Sequence, residues 1–249
     1  MKYFAISSQG NKLRGFIMKP KGAGPYKTVI VSHGFGSNLA MSYLYARVFV
    51  KKGYCAFIYD FPAAGNGISG GDTTKMSVLT EKQDLINLVD YVRAQDFVDN
   101  DHIILAGCSQ GGMVSALAAP EVEDKIERIM LYYPALCIPD DARRGVMITA
   151  HIDPDNIPET FYAINVKLGR KYAEDAQKLE PWKEICSFKK PVWIIHGKED
   201  PLVKIRYARE AEKRYPDATL VEIHGDHGFL LMGKPRSNRE TRKYLDSIG

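Results

Sequence analysis

Short apolar runs recur along the chain and alternate with longer stretches of helical spacing. Within most runs the apolar residues follow one another with little polar interruption, which is typical of strands buried on both faces of a sheet. Six such strands are predicted at 28–32, 54–59, 102–106, 126–133, 189–195 and 218–223. Two further runs, 2–8 and 12–19, flank a turn and predict a pair of strands at the start of the chain.

Helices are predicted between and after these strands, at 39–52, 77–95, 113–119, about 203–214 and about 236–247. The longest of them places Leu85, Leu88 and Val92 on one side, as an amphipathic helix requires. Strands that alternate with helices predict an α/β fold, with a mostly parallel eight-stranded sheet flanked by helices. Ligands of such sheets bind beyond the carboxyl ends of the strands, so functional residues are expected there.

One segment, residues 135–187, breaks the alternation between the strands at 126–133 and 189–195. It is long for a connection between two strands and contains several prolines and aromatic residues. Loops of this length inside compact domains are usually functional. We therefore predict a single domain over 1–249, with an inserted lid at 135–187 above the carboxyl ends of the strands.

Length and composition fit one globular domain with a large core, since the chain has 249 residues and 45% of them are hydrophobic. The formal net charge is only +4 and the basic residues are interspersed with acidic ones, so neither nucleic acid nor a membrane is an expected partner. The first residues lack the apolar core of a signal peptide. Cys55, Cys108, Cys137 and Cys186 form no C-x-x-C pair and are predicted to be free thiols in a reducing compartment, which indicates the cytoplasm.

The motif Gly107-Cys-Ser-Gln-Gly-Gly112 lies between a predicted strand and a predicted helix. This is the context of a nucleophile elbow, in which a sharp turn exposes a serine hydroxyl and flanking glycines allow strand and helix to approach. Ser109 is therefore the candidate nucleophile, and the Gln110 N–H would face a developing oxyanion. The alternatives are a glycine-rich turn without chemical function and Cys108 as the nucleophile, but Cys108 is expected to point into the protein.

A serine hydroxyl needs a base to accept its proton and a third group to orient that base. The expected chain order is serine, acid and then histidine. Asp200 follows a predicted strand in a turn stiffened by Pro201, and we favour it over the neighbouring Glu199. His227 lies in the loop after the last predicted strand, from which an imidazole can reach the serine, and we favour it over His224.

The other histidines are expected to have no catalytic role. His33 and His196 each precede a glycine at a strand end and are predicted to make structural hydrogen bonds. His102 begins a strand, and His151 is predicted to face solvent in the insertion.

A second oxyanion donor is expected from the loop after the strand at 28–32, where Phe35 is the candidate. The alternative role of Phe35 is to cover the core. No spacing typical of metal ligands is present, so we predict no metal and no cofactor.

Four motifs, each at the end of a predicted strand, carry a resemblance to a known family: residues 33–38, 107–112, 196–200 and 225–229. The chain resembles the α/β-hydrolase superfamily and, within it, the bacterial cinnamoyl (feruloyl) esterases. The resemblance implies the α/β-hydrolase fold, with Ser109, Asp200 and His227 as the catalytic triad. It also implies that the Phe35 and Gln110 amides form the oxyanion hole.

In those esterases the insertion covers the acyl pocket and supplies an aspartate and a tyrosine that bind the hydroxyl of the aromatic ring. The resemblance implies Asp141 and Tyr172 as the counterparts in this chain, with Asp140 equally close in sequence.

The expected function is hydrolysis of small carboxylic esters, aryl or hydroxycinnamoyl, by a serine carboxylesterase that forms an acyl-enzyme. An aminopeptidase or amidase on the same triad is the alternative, since Asp140, Asp141, Asp153 and Asp155 of the insertion could bind a substrate amine. A non-catalytic ligand-binding member of the fold is a further alternative. The expected partner is a small-molecule ester, without nucleic acid or membrane, and a homodimer is left open.

Overall fold

The computed structural model describes residues 1–249, and strands alternate with helices through most of the chain. The strands are β1 (Lys2–Ser8), β2 (Asn11–Met18), β3 (Tyr26–Ser32), β4 (Cys55–Asp60), β5 (Val98–Cys108), β6 (Arg128–Tyr132), β7 (Val146–Met147), β8 (Ala150–His151), β9 (Thr160–Ala163), β10 (Val166–Gly169), β11 (Val192–Gly197) and β12 (Ala218–Ile223). The α-helices are α1 (Leu39–Lys51), α2 (Val78–Arg93), α3 (Gln110–Ala118), α4 (Ile138–Arg143), α5 (Arg170–Lys178), α6 (Pro181–Glu184), α7 (Arg206–Arg214) and α8 (Lys234–Ser247). Short 3₁₀ segments occupy Thr73–Lys75, Ala119–Lys125, Ile185–Ser187 and His227–Phe229.

Eight strands form one sheet in the order β1-β2-β4-β3-β5-β6-β11-β12. Strand β2 is antiparallel to both of its neighbours, and the remaining pairs are parallel. At the centre of the sheet, Ile30 of β3 pairs with Phe57 of β4 and with Leu105 of β5. The predicted mostly parallel eight-stranded sheet is confirmed, and every predicted strand belongs to it.

The continuous apolar strands are covered on both faces, as their sequences predicted. Ile30, Phe57 and Leu105 pack on one face in a core of 54 buried residues, together with side chains of α2, α3, α7 and the insertion. Val29 and Ile58 point to the other face, where a core of 20 buried residues includes side chains of α1 and α8. Alternate residues of one strand therefore enter two different cores.

The ends of some elements differ from the predicted ones for local reasons. Strand β5 begins earlier than predicted, because Val98 pairs with Tyr26 across a register shift. Strand β11 begins at Val192, later than predicted, because Pro191 has no N–H to donate to a neighbouring strand. Helix α3 begins earlier than predicted, at Gln110, which brings its amino terminus directly to Ser109.

The insertion, residues 135–187, contains α4, α5 and α6 and two antiparallel hairpins, β7–β8 and β9–β10. It is attached to the 3₁₀ segment Thr73–Lys75, since the Thr73 hydroxyl donates a hydrogen bond to the Lys167 carbonyl. The two segments also approach closely at Gly169, where a Cβ would lie 2.1 Å from the Thr74 carbonyl oxygen. None of the helices in the chain combines the length and the apolar character that crossing a membrane requires.

Candidate active site

Ser109 directly follows β5 in a backbone conformation that few residues other than glycine adopt, with φ 52° and ψ −118°. Its N–H donates to the Tyr132 carbonyl at 3.0 Å. The glycines around it permit close approach, because a Cβ at Gly107 would lie 2.2 Å from the Gly111 carbonyl oxygen, and one at Gly111 would lie 2.3 Å from the His33 carbonyl oxygen. The strained turn therefore presents the Ser109 side chain at the carboxyl edge of the sheet.

His227 connects Ser109 to Asp200 through two hydrogen bonds. His227 Nδ1 lies 2.8 Å from Asp200 Oδ2, and His227 Nε2 lies 3.0 Å from Ser109 Oγ. Because a carboxylate can only accept hydrogen bonds, Nδ1 carries the proton and Nε2 accepts the Ser109 hydroxyl. Asp200 follows β11 and His227 follows β12, so both side chains reach Ser109 along the carboxyl edge of the sheet. The structure brings the three predicted residues into one array.

The Asp200 carboxyl group is buried and receives several hydrogen bonds. Its Oδ1 accepts the N–H groups of Leu202 and Val203, each at 2.9 Å, and His196 Nε2 lies 3.3 Å from Oδ2. Burial opposes ionisation, but the nearby His196 Nε2 group and the hydrogen bonds from His227 and the Val203 amide outweigh it and hold the pKa of Asp200 well below its usual range. Asp200 is therefore a carboxylate at neutral pH, as an orienting group for an imidazole must be.

The alternative acid and the alternative base pair with one another instead of with Ser109. His224 Nδ1 lies 2.7 Å from Glu199 Oε1, and both side chains are exposed. The alternative nucleophile, Cys108, is buried in the core, and burial raises the pKa of its thiol to about 12. A thiol with that pKa is protonated at neutral pH and is a poor nucleophile.

The remaining histidines serve local structure or face solvent. His33 Nδ1 donates to the Gly34 carbonyl at 2.8 Å, and its Nε2 accepts the Phe61 N–H at 3.2 Å. His196 Nε2 donates to the Val203 carbonyl at 2.8 Å. His102 pairs with the Asp99 carboxylate, and His151 is exposed in β8. No group of three or more His, Cys, Asp or Glu side chains is arranged to hold a metal ion.

The backbone N–H groups of Phe35 and Gln110 lie beside the elbow, and neither donates to an acceptor within the protein. Gln110 is the first residue of α3, so its N–H points out of the helix end, where the helix dipole favours negative charge. The loop that carries Phe35 touches the elbow, because a Cβ at Gly34 would lie 3.1 Å from Ser109 Cβ. The Phe35 ring also packs against the core, so its structural role coexists with a free N–H.

A cavity of about 340 Å³ lies beside Ser109 and His227, and most of the residues around it are apolar. Phe35, Pro201, Leu202 and Val203 form one part of its wall. The insertion supplies the other part with Ala135, Cys137, Ile138, Asp141, Val146, Met147, Ile148, Ile164 and Tyr172. The insertion therefore forms a large part of the wall of the cavity beside Ser109.

Asp141 is the carboxylate of the insertion that lines this cavity, and it forms an ion pair with Arg144. Asp140, which the sequence could not separate from it, lines a different surface cleft and accepts the Tyr207 hydroxyl at 3.0 Å. Asp153 and Asp155 are exposed and do not line the cavity.

Tyr172 lines the same cavity, but its hydroxyl already donates a hydrogen bond to Gln110 Oε1 at 2.5 Å. Gln110 Nε2 in turn donates to Glu81 Oε2 at 2.7 Å. Sequence analysis did not identify Glu81. The available signal was its place in α2, where it shares the buried side of the helix with Leu85 and Leu88 and where a carboxyl group is unexpected.

A family model described as "Serine aminopeptidase, S33" matches residues 23–171 of this chain. The chain belongs to this family. It is 24% identical over 252 residues to protein YqkD of Bacillus subtilis, covering 97% of this chain and 78% of that protein. It is 25% identical over 227 residues to WAV2 of Arabidopsis thaliana, an α/β-hydrolase domain-containing protein, covering 87% of this chain and 68% of that protein.

The fold of this chain is similar to that of several solved structures. Est1E from Butyrivibrio proteoclasticus, with ferulic acid bound, superposes with a TM-score of 0.91 at 26% identity, covering 98% of each chain. The α/β-hydrolase domain-containing protein 10 from mouse superposes with a TM-score of 0.74 at 15% identity over the whole of both chains. The predicted α/β-hydrolase fold is confirmed, as is the resemblance to bacterial feruloyl esterases.

Proposed function

We propose that this α/β-hydrolase is a serine carboxylesterase in which Ser109, His227 and Asp200 form the catalytic triad. The observation that carries the proposal is the hydrogen-bonded array of these three side chains beside a mostly apolar cavity. An array of this kind activates a hydroxyl for attack on an acyl carbon. Family membership supports a hydrolytic reaction, and the similarity to Est1E supports an ester as the substrate.

In the proposed reaction, Ser109 Oγ attacks the ester carbonyl carbon while its proton passes to His227 Nε2. The carbonyl oxygen becomes an oxyanion and accepts hydrogen bonds from the Phe35 and Gln110 N–H groups. The bond to the alcohol oxygen then breaks, and the alcohol leaves with the proton from His227. Water attacks the acyl-enzyme by the same route, which releases the acid and restores Ser109. Asp200 remains ionised, orients His227 and stabilises its protonated form.

We propose small aryl esters, including hydroxycinnamoyl esters, as the substrates. The apolar cavity of about 340 Å³, with the insertion as its lid, suits one aromatic acyl group. Asp141 offers a carboxylate acceptor for a hydroxyl on the ring, whereas the Tyr172 hydroxyl already donates its proton to Gln110 and is not free to donate to that ring hydroxyl. The ferulic acid bound to Est1E supports this substrate class.

The test compares hydrolysis of methyl ferulate, methyl cinnamate and para-nitrophenyl butyrate. Ser109→Ala should lower kcat by about 10⁶-fold. Asp141→Asn should lower kcat/KM for methyl ferulate by about tenfold or more and leave methyl cinnamate, which has no ring hydroxyl, unchanged. Asp140→Asn is the matched control, because that carboxylate lies in a different cleft. Equal effects of Asp141→Asn on both methyl esters would contradict hydroxyl recognition, and a loss below about tenfold in Ser109→Ala would contradict the triad.

An aminopeptidase or amidase on the same triad is the second candidate, favoured by the description of the family and by Asp141 as a partner for a substrate amine. The ion pair with Arg144 already balances the Asp141 charge, which makes the cavity less suited to an amine. Matched esters and anilides of one amino acid distinguish the two activities. Cleavage of the anilide only when its α-amine is free would replace the esterase proposal. If Ser109 failed to react with a fluorophosphonate, a non-catalytic ligand-binding role would replace both.

A further inference from the structure

Three buried polar side chains form a chain of hydrogen bonds behind the elbow, from α2 through α3 to α5. Glu81 Oε2 accepts from Gln110 Nε2 at 2.7 Å, and Gln110 Oε1 accepts from the Tyr172 hydroxyl at 2.5 Å. Each of the three residues is 2% exposed or less. We call this chain, Glu81–Gln110–Tyr172, the buried relay.

The carboxyl group at one end of the buried relay has no cationic partner. Gln110 donates a hydrogen bond to Glu81, and the titratable groups that interact with Glu81 through their charge are Asp84, Tyr59 and Tyr172. Burial raises the pKa of Glu81 to about 8, so the folded protein holds it mostly protonated at neutral pH. A buried carboxyl group without a cation is costly, and an apolar side chain would pack in the same place at lower cost. Its hydrogen bond to Gln110 therefore points to a role beyond packing.

The middle residue of the buried relay carries one of the two proposed oxyanion donors. The Gln110 backbone N–H has no acceptor in the protein, and the Gln110 side chain is held at both its oxygen and its nitrogen. A side chain bound at both ends fixes the orientation of the first residue of α3, on which the direction of that N–H depends.

Tyr172 also contacts the residue that carries the other donor. Its ring meets the Phe35 ring edge to face, with 5.9 Å between the centroids and 64° between the planes. One side chain of the insertion therefore touches both residues whose N–H groups would hold the oxyanion, by a hydrogen bond at Gln110 and by ring packing at Phe35.

We propose that Glu81 and Tyr172 are positioning residues that hold the Gln110 and Phe35 amides in the geometry of the oxyanion hole. This inference rests on the proposed function. Because Tyr172 belongs to the insertion, the hole is complete only when the insertion is folded against the elbow. A small displacement of these two amides should lower the rate strongly, since a displacement of about 1 Å can lower an enzymatic rate by about 100-fold.

The first test is Tyr172→Phe, which removes the hydroxyl and keeps the ring. We expect kcat to fall by about tenfold, a part of the 10²–10³-fold loss typical of removing one oxyanion donor, with KM changed by less than about twofold. The fall should be equal for methyl ferulate, methyl cinnamate and para-nitrophenyl acetate, because every ester forms the oxyanion. Tyr207→Phe is the matched control, since it removes a hydroxyl that binds Asp140 outside the cavity.

The outcomes of this test are distinct. A loss confined to methyl ferulate, with a raised KM, would overturn the inference and assign Tyr172 to recognition of the ring hydroxyl. Unchanged kinetics on all three esters would also overturn it. Failure of the proposed function has another signature, because the wild-type and Ser109→Ala proteins would then hydrolyse para-nitrophenyl acetate at equal rates.

The second test is a pair of substitutions at the other end of the relay. Glu81→Leu removes the acceptor of Gln110 Nε2, whereas Glu81→Gln keeps an acceptor oxygen in the same place. We expect Glu81→Leu to lose about tenfold or more in kcat and Glu81→Gln to stay within about threefold of wild type at pH 7. Asp84→Asn is the control, because Asp84 is buried on the same helix but binds Ser8 and Gln9.

A trifluoromethyl ketone adds a readout that packing alone would not change. Ser109 Oγ adds to its carbonyl carbon and transfers its proton to His227 Nε2, and the ketone oxygen becomes the hemiketal oxyanion that occupies the hole. Its affinity should fall in step with kcat in Tyr172→Phe and Glu81→Leu. Equal kcat values for Glu81→Leu and Glu81→Gln, or unchanged ketone affinity in Tyr172→Phe, would overturn the inference. If Glu81→Leu does not fold, Tyr172→Phe and the ketone carry the test alone.

Discussion

Replacing Glu81 by Gln should stabilise the protein relative to wild type by an amount that grows as the pH rises. In the folded protein burial raises the Glu81 pKa from 4.5 to about 8. The unfolded chain releases the proton near the lower value, so between these two pH values the folded state binds more protons than the unfolded state. Wild-type stability therefore falls as the pH rises through this window. Glutamine has the shape of the protonated carboxyl group and does not titrate. The stability of the variant therefore does not fall through this pH window on account of residue 81.

The size of the effect follows from the difference between the two pKa values. A raise from 4.5 to about 8 corresponds to about 5 kcal/mol, at about 1.4 kcal/mol for each pKa unit. This is an upper bound, because water that enters around an ionised Glu81 would reduce the cost. The gain should be close to zero near pH 4.5 and approach its full size above pH 8. Asp84, whose pKa burial also raises, is present in both proteins, so its own titration largely cancels from the difference.

Urea unfolding at several pH values across this window measures the gain, with the fluorescence of Trp182 and Trp193 as the signal. Glu159→Gln serves as the control, because that side chain is exposed and its replacement should give a small difference that does not grow with pH. A stability gap between Glu81→Gln and wild type that is constant across the window, or that shrinks as the pH rises, would refute a buried, protonated Glu81.

The other predictions concern the elbow and the array around it. Asp200→Asn should lower kcat by about 10⁴-fold, because an amide no longer selects the His227 tautomer that accepts the Ser109 proton. Steady-state kinetics measure this loss, and a fall in kcat below about tenfold would contradict the role of Asp200 in orienting His227. Gly111→Ala should lower the free energy of unfolding in urea by about 2 kcal/mol or more, since the added Cβ would lie 2.3 Å from the His33 carbonyl oxygen. An unchanged free energy of unfolding would contradict this close approach of the elbow to His33. Iodoacetamide should leave the hydrolytic activity of the native protein unchanged at pH 7, because Cys108 is buried and its thiol pKa is raised to about 12. Rapid inactivation traced to Cys108 by mass spectrometry would contradict this.

Most of the sheet and the candidate triad could be predicted from the sequence, because both depend on local patterns of residues. Continuous apolar runs such as 54–59 can be buried only between two layers, and parallel strands bring their carboxyl ends to one edge. Ser109, Asp200 and His227 each follow a strand, so a correct assignment of strands was enough to expect them together. Preferring His227 to His224 required only that a loop reaches further than a strand end.

The interior of the insertion could not be predicted in the same way. Its strands β7 to β10 are two to four residues long, too short for an alternating pattern to show. Asp140 and Asp141 are adjacent in sequence, but successive residues of a helix point in directions about 100° apart. Only the packing of α4 determines that Asp141 lines the cavity and Asp140 faces a surface cleft.

The buried relay was also beyond sequence analysis, because its three members come from α2, α3 and α5 and meet only in the folded chain. An acid on the apolar side of a helix was visible, but its partner was not.

The most direct test of the central proposal is to trap the acyl group on Ser109. Wild-type protein and Ser109→Ala would be mixed with excess para-nitrophenyl acetate, quenched in acid within milliseconds to seconds, and digested for mass spectrometry, while released para-nitrophenol is followed in parallel. We expect acetyl on the peptide that carries Ser109 and a burst of about one equivalent of para-nitrophenol in the wild-type protein, with neither in the variant. Equal release of para-nitrophenol by both proteins, or acetylation of another residue with Ser109 unmodified, would contradict the proposed triad.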